Sequence, residues 1–487
     1  MANAMAMAAQ IPSPSSPFLR SAGAGARVSS FSSGGAASLS CRSRSSFTRR
    51  SIRVSVSGAA ADRPAEDASG AGQSVNEVHM IVIVGAGIAG LAAALAFQRL
   101  GLQTLVLEKA SDLRAGGAAL TIWRNAWRAL DVLGVGEELR NQYYLLAGSH
   151  VVSLQGKVIH QLSFGNCSRG GLNEVRAIER SALLEALAKP LPAGTIRFKS
   201  KVVNVRKGTK KTYNEVELED GTIIASKVLV GCDGVRSEVA KSLGVKEPSF
   251  VGQCAIRGVA DYPAGHDYGS MLLQFLGRGS RAGVVPISST KVYWFVCFKS
   301  SSAVVRKVEP EVLKQEALEH LKSWCKKNLE EFSSLIENSP NHTVTRSALR
   351  HRWSLPLVSP SLAADGITLA GDALHPITPN LGQGGCLALE DGVILARELY
   401  NAVFARKSMN AEDMDTNIKC ALDAYAKQRW YRFFPLTVKS FFIGFLSMLE
   451  LWPVIYARDS FGVKVALQPD RFLKHTLYDC GELPIPS

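Results

Sequence analysis

"HMIVIVGAGIAGLAAALAFQRLGLQTLVLEKA", His79 to Ala110, decides the fold class. An apolar run leads into a glycine-rich turn, then an alanine-rich helical stretch, then a second apolar run, which is the order of a βαβ unit. The turn holds Gly85-x-Gly87-x-x-Gly90, with Ala86 between the first two glycines. Glycine triplets also arise in ordinary turns, so the context carries the reading. Here a strand, Ile81 to Val84, precedes the triplet, a helix follows it, and Glu108 ends the next strand 18 residues after Gly90. Gly85 permits the tight turn, Gly87 lets backbone N–H groups approach a pyrophosphate, and Gly90 lets helix and strand pack closely. The helix N-terminus adds partial positive charge for the phosphates. Glu108 suits a ribose 2′-hydroxyl and disfavours a 2′-phosphate, so this is a dinucleotide site for FAD or NAD, not NADP.

Two more apolar strands end in glycine: "KVLVGCDGVRS" (Lys227 to Ser237) and "GITLAGDALHP" (Gly366 to Pro376). Between them "SMLLQFLGRGSRAGVVPISSTKVYWFVCF" (Ser270 to Phe298) alternates strand-like runs with turns, the pattern of an inserted antiparallel meander. Its "GRGSRAG" is flanked by strands and followed by no helix, so it reads as a hairpin turn. The expected fold class is α/β: a Rossmann-like domain with a parallel sheet, an inserted mixed or antiparallel β domain, and C-terminal helices. The expected boundaries are 79–250 and 351–430 for the two parts of the dinucleotide domain, 251–350 for the insertion and 431–487 for a helical tail.

Charge is unevenly placed. Residues 1–61 hold seven arginines, no lysine and no acid, so half of the formal net charge of +14 lies there. An Arg- and Ser-rich, acid-free leader without a long apolar core has the composition of an organelle transit peptide. Its serine density favours the chloroplast, stroma or thylakoid-associated, and 62–78 reads as a polar linker. The rest of the chain carries no basic excess that calls for nucleic acid. Nine cysteines are scattered singly with no CxxC, so neither a disulfide framework nor a metal site is expected.

On these residues the chain resembles the single-component (group A) FAD-dependent monooxygenases, which include p-hydroxybenzoate, salicylate and urate hydroxylases and zeaxanthin epoxidase. A plastid-type plant enzyme is the nearest kind. The resemblance covers about residues 79–430 and rests on three motifs in the family's order: GxGxxG at Gly85, DG at Asp233-Gly234 and GD at Gly371-Asp372. It implies that Gly85, Ala86, Gly87 and Gly90 hold the FAD pyrophosphate, and that Glu108 and Lys109 meet the adenosine end. It implies flavin contacts for Thr121 and for Arg180, ribityl contacts for Asp372, and a bed for the isoalloxazine ring from Gly382, Gln383, Gly384, Gly385 and Cys386. Asp233 would link the FAD and nicotinamide sites. The family's DG motif commonly continues Ser-x-x-Arg, whereas here Ser237 is followed by Ala240. The implied reaction is reduction of FAD by transient NAD(P)H, addition of O₂ to give a flavin hydroperoxide, and transfer of one oxygen atom to a small aromatic or isoprenoid-type substrate.

Elementary chemistry agrees with the GD segment. A strand ending at Ala370 puts Asp372 at the carboxyl edge of a parallel sheet, where open α/β sheets bind ligands. Gly382, Gly384 and Gly385 expose backbone N–H groups at a helix start, suited to the anionic reduced flavin. Glu390 and Asp391 come two turns later and read as solvated or hydrogen-bonded structural residues, and His375 as a packing residue. No side chain is assigned a catalytic role.

Within the meander, Arg281 and Tyr293 are the substrate-contact candidates, with Trp294 and Arg257 beside them. "LTVKSFFIGFLSMLELW" (Leu436 to Trp452), bounded by Pro435 and Pro453, reads as an amphipathic helix. Its stripe is Lys439, Ser440, Gly444, Ser447 and Glu450, opposite an apolar face expected to pack inward, with peripheral membrane contact as the other reading. Oligomeric state is left open. The competing functions are a flavoprotein reductase or desaturase without oxygen insertion, and a non-catalytic FAD-binding regulatory protein.

Overall fold

The computed structural model describes residues 75–485 apart from 114–118, 166–172, 209–212, 304–307, 355–361 and 406–409. The leader and most of the linker lie outside the described residues. All described residues belong to one compact unit, Val56–Ser487.

Strand β1 (Glu77–Val84) is buried over its last four residues, Ile81 to Val84, as a central strand covered on both faces must be. It lies in an eight-stranded sheet with β2 (Leu105–Leu107), β3 (Ile223–Gly231) and β4 (Ile367–Leu369), ordered β4-β3-β1-β2, all parallel. Helix α1 (Ile88–Arg99) is buried continuously from Ala89 to Phe97, so it is apolar all round rather than amphipathic. Its alanines admit the close approach of α2 (Gly384–Leu399): a Cβ on Gly392 would lie 2.6 Å from the Ala93 nitrogen. Gly392 is a helix-contact glycine.

A second sheet has seven strands, and the 251–350 expectation is too narrow for it. Its core is antiparallel, Thr345–His351, Ser249–Asp261, Lys291–Lys299, Ser280–Pro286 and Met271–Leu276, with the hairpin turn at Gly277 to Gly279. Gly148–Ser153 then pairs in parallel with Met271–Leu276, and Val158–Ser163 completes the edge. A parallel partner more than a hundred residues upstream leaves no local signal in the sequence. One face of this sheet packs under helices Pro310–Glu319 and Lys326–Glu337, burying Phe275, Trp294 and Phe332. The other face carries Tyr293, Val259 and Val285 onto the core of the first sheet.

The tail differs from the expectation. Helix α3 runs unbroken from Ala411 to Ser447, with Pro435 inside it. A proline removes one N–H and frees the carbonyl four residues earlier. Here that is Tyr431, which is 64% exposed, so water can replace the lost bond. The faces are also reversed. Ser440, Gly444 and Ser447 are buried, whereas Phe442, Phe445 and Leu446 are about half exposed.

Candidate functional site

The three glycine-ended strands are neighbours, and their ends are in register. Val84 pairs with Gly231, and Gly231 with Leu369, so the turns at Gly85, Asp233 and Gly371 leave one edge of the sheet side by side. Cys232 N–H donates to Val84 O at 2.8 Å and Ala370 N–H to Gly231 O at 2.9 Å, carrying the ladder to the last residue before each loop.

At the first loop Gly85 has φ +104°, and a Cβ there would lie 2.6 Å from the Cys232 carbonyl oxygen. A Cβ on Gly90 would overlap the Gly85 carbonyl oxygen. Gly87 caps α1 with no side-chain hydrogen bond, and nothing lies within 4 Å of where its Cβ would be. The first-turn N–H groups of α1 are therefore open to an anion. Glu108 reaches this loop: its Oε2 accepts the Ala86 N–H at 2.8 Å and its Oε1 the Ala110 N–H at 2.9 Å. Each oxygen keeps a second lone pair. Lys109 beside it is exposed.

At the second loop Asp233 Oδ2 accepts the Glu238 N–H at 2.7 Å, while its Oδ1 is buried with no partner. Burial raises the Asp233 carboxyl, against hydrogen bonds that lower it. Where the family's arginine would stand, Ala240 is buried and donates its N–H to Ser237 Oγ at 2.8 Å. That helix start is thus capped by the chain itself.

The third loop is the most elaborate. Gly371 has φ +59°, and Asp372 is exposed between buried neighbours Gly371 and Ala373. The surrounding protein mass raises its carboxyl, and the charges of His375 and Arg180 offset only part of that rise. Arg180 opens the helix Arg180–Ala188, as its position in the sequence implies. Gly382 has φ +62°, and a Cβ there would sit 2.9 Å from Trp123 Nε1, a buried donor without a partner. Gln383 begins α2 with no side-chain cap. A Cβ on Gly385 would touch Ile88 and Leu120 at 3.5 Å, so the starts of α1 and α2 and the Ala119–Ile122 strand that carries Thr121 converge here. Cys386 Sγ lies 3.8 Å from the Thr121 carbonyl, and burial pushes its thiol up to about 12, which keeps it protonated.

Two expectations for this loop need refinement. Of the two readings for Glu390 and Asp391 the hydrogen-bonded one holds and the solvated one does not, since both are wholly buried, and their place two turns along α2 does not remove them from the loop. Asp391 Oδ2 accepts the Gly371 N–H at 2.7 Å and lies 2.6 Å from His375 Nε2. His375 is buried against Phe433, as a packing residue would be, and is also a hydrogen-bonding partner of Asp391. Arg352, which the sequence did not single out, donates from Nη1 to the Ala373 carbonyl at 2.6 Å. A lone arginine after a strand carries no signal that it will fold under a loop.

In the second sheet Arg257, Phe295 and Gly283 form one row, with Val259, Tyr293 and Val285, which pack on the core of the first sheet, in the next. Arg281, opposite Cys297, is 8% exposed, has no ion pair or hydrogen bond among the described residues, and leaves its Nε buried without a partner. Its guanidinium stands 5.6 Å from the Phe295 ring centroid. Burial raises the Tyr293 phenol, and the Arg257 and Arg281 charges oppose that rise. Trp294 points to the opposite face, where its indole N–H donates to Ser339 Oγ at 2.7 Å. It is a core residue and not a site residue.

An uncapped helix start at Gly87, an unpaired buried acceptor on Asp233 and an exposed carboxylate at Asp372 fit the phosphates, sugar and ribityl hydroxyls of FAD. A family model described as FAD binding domain matches residues 78–409. The chain is similar to Monooxygenase 2 of Arabidopsis thaliana, 38% identical over 410 residues that cover 83% of this chain and 98% of that protein. It is similar to a chloroplastic zeaxanthin epoxidase of an Oncidium hybrid cultivar, 31% identical over 72% of this chain and 53% of that one. Among solved structures, a salicylate hydroxylase substrate complex superposes with a TM-score of 0.65 over 82% of this chain and 96% of that chain, at 20% identity. That likeness is one of fold.

Proposed function

The chain belongs to the FAD-binding family of flavin-dependent monooxygenases, and we propose that it uses NAD(P)H and O₂ to hydroxylate or epoxidise a small aromatic or isoprenoid-type substrate. It is an FAD-dependent oxidoreductase. When bound, FAD supplies the two-electron relay from NAD(P)H and the activation of O₂.

The observation that carries the reading is the alignment of the three motif loops on one sheet edge. Gly85, Ala86, Gly87 and Gly90 hold the pyrophosphate, with Glu108 and Lys109 at the adenosine end. Asp233 and Asp372 take the sugar and ribityl hydroxyls, with Arg180 and Thr121 beside them. Gly382 to Cys386 would hold the ring at the uncapped N-terminus of α2, whose N–H groups favour negative charge placed there. Arg281 and Tyr293 contact the substrate. A buried guanidinium without a carboxylate partner supports a substrate that carries an oxygen acceptor. The apolar rows around Phe295 exclude water while oxygen is transferred.

The Arg-rich leader and a chloroplastic relative support a plastid location. No helix among the described residues is long and apolar enough to cross a membrane. The exposed Phe442, Phe445, Leu446, Trp452, Tyr456 and Phe461 support peripheral attachment to a bilayer surface. A cleft of about 410 Å³ lined by Val251, Lys299, Phe445 and Met448 opens beside them and shares no residue with the motif loops.

Anaerobic stopped-flow mixing with NADH or NADPH tests the function. Bleaching of the flavin band, followed by O₂ uptake that one member of a plastid metabolite panel stimulates, with labelled oxygen in the product, is the expected result. Reduction without oxygen incorporation for any ligand points to the reductase or desaturase reading. No reduction by either nucleotide leaves only the regulatory one.

A further inference from the structure

The loop from Gly371 to Gln383 is held at both ends by side chains that converge on one buried guanidinium. At the first end Asp391 Oδ2 takes the Gly371 N–H and meets His375 Nε2. At the second, Asn125 Nδ2 donates to Gln383 Oε1 at 3.0 Å and to Glu390 Oε1 at 2.7 Å. Arg429 of α3 joins the two ends. Its Nε donates to Asp391 Oδ1 at 2.6 Å and its Nη2 to Glu390 Oε2 at 2.8 Å, with no exposure of its own. Arg432 completes the charge balance through Glu390 Oε1 at 2.8 Å. Burial alone would raise both carboxyls, but the cations around them reverse this, and both fall below the ordinary range.

We infer that Arg429 is a positioning residue for the flavin. From α3 it locks the two adjacent α2 carboxylates that fix opposite ends of the flavin loop, and so governs FAD affinity without touching the cofactor. Glu390 and Asp391 are consecutive, so their side chains leave the helix about 100° apart. One group can hold both only if its donors are separated and rigidly oriented. A guanidinium meets that condition and an ammonium does not. Net stability is a weak reason for such a cluster, because a buried ion pair is often replaceable by apolar residues without loss. Geometry is the stronger reason: Asp391 cannot rotate without moving the Gly371 N–H, nor can Glu390 without freeing Asn125 and through it Gln383.

The test uses the full chain and reads FAD affinity and flavin spectra, not turnover, so its outcome is independent of the oxygen-insertion reading. Arg429→Met combined with Asp391→Asn removes one cation and one anion together, and the amide oxygen can still accept the Gly371 N–H. This variant is expected to keep the thermal midpoint of the apoprotein while FAD binds roughly tenfold more weakly and the bound flavin's absorption shoulder blurs. Arg429→Lys, which retains the charge, is expected not to restore either property. Asn125→Ala removes the bonds to both Gln383 and Glu390 while leaving the Asp391 end intact, and is expected to weaken FAD several-fold. Native FAD affinity and spectrum in the folded double variant overturn the inference. Should that variant not fold, unchanged affinity and spectrum in Asn125→Ala overturn it instead.

Discussion

Gly87 and Gly90 stand three residues apart in one turn and are glycine for different reasons. A side chain at Gly90 meets the Gly85 carbonyl oxygen, a piece of backbone that cannot swing aside. At Gly87 nothing in the protein lies within 4 Å. Gly90→Ala should therefore destabilise the fold itself, on the order of 3 kcal/mol by denaturant midpoint. Gly87→Ala should leave stability within about 1 kcal/mol and lower FAD affinity, because its methyl enters only the phosphate's space. Equilibrium unfolding and FAD titration of the two variants check the contrast, and equal losses of stability would contradict it. The place of Asp372 at the edge of the sheet was legible from its position after a strand. Arg352, Arg429 and Asn125 were not, since each acts across a separation of 21 to 265 residues.

Helix α3 shows how an amphipathic pattern can be read correctly and oriented wrongly. The stripe Ser440, Gly444 and Ser447 is distinct in the sequence, but rule-of-thumb burial turned its aromatic side inward. The small stripe is inside because it seats the flavin loop. Ser440 Oγ lies 2.7 Å from Thr378 Oγ1, and Asn380 Nδ2 donates to the Ser440 carbonyl at 2.7 Å. Gly444 leaves room for the Asn380 side chain. Gly444→Val should thus cost about 1–3 kcal/mol and loosen FAD, through displaced Asn380. Phe442→Ser with Phe445→Ser, on the exposed side, should change stability by no more than about 1 kcal/mol. The same pair should weaken sedimentation with vesicles of anionic plastid-type lipids. Unchanged sedimentation would remove the membrane reading and leave these aromatics to a protein partner.

Acid sensitivity belongs to the whole molecule, because the tail that returns over the first domain carries a partly buried histidine whose ring nitrogens are shielded from water. His475 lies among Trp123 and Phe472, and both ring nitrogens lack partners. Burial first, then the Lys439 and Arg432 charges, bring it down to about 3. A depressed histidine means that the unfolded chain binds the proton more readily. Its contribution is whole above about pH 6.5 and is lost progressively as pH falls toward about 3. The lowered carboxyls of Glu390 and Asp391 add a second loss below the ordinary carboxylate range. Denaturant midpoints should decline from about pH 6.5 downward, and His475→Leu should flatten the upper part of that decline. A midpoint independent of pH between 7 and 5 in the parent protein would refute this assignment.

The parallel sheet, its three motif turns and the FAD family were determined by the sequence alone, because each motif is local. A strand, a glycine with a forced φ and a helix start are adjacent in the chain, and their chemistry does not depend on what packs elsewhere. Tertiary structure alone decided the rest. It brought Val84, Gly231 and Leu369 into one row, recruited Gly148–Ser153 to the second sheet, turned Trp294 under the helices on its outer face and left Arg281 Nε buried without a partner. It also folded α3 over the flavin loop and buried Arg429 between two carboxylates. An arginine in a helical run looks the same in sequence whether it is solvated or buried. Only the packing of distant segments supplies the counter-charges that make burial tolerable.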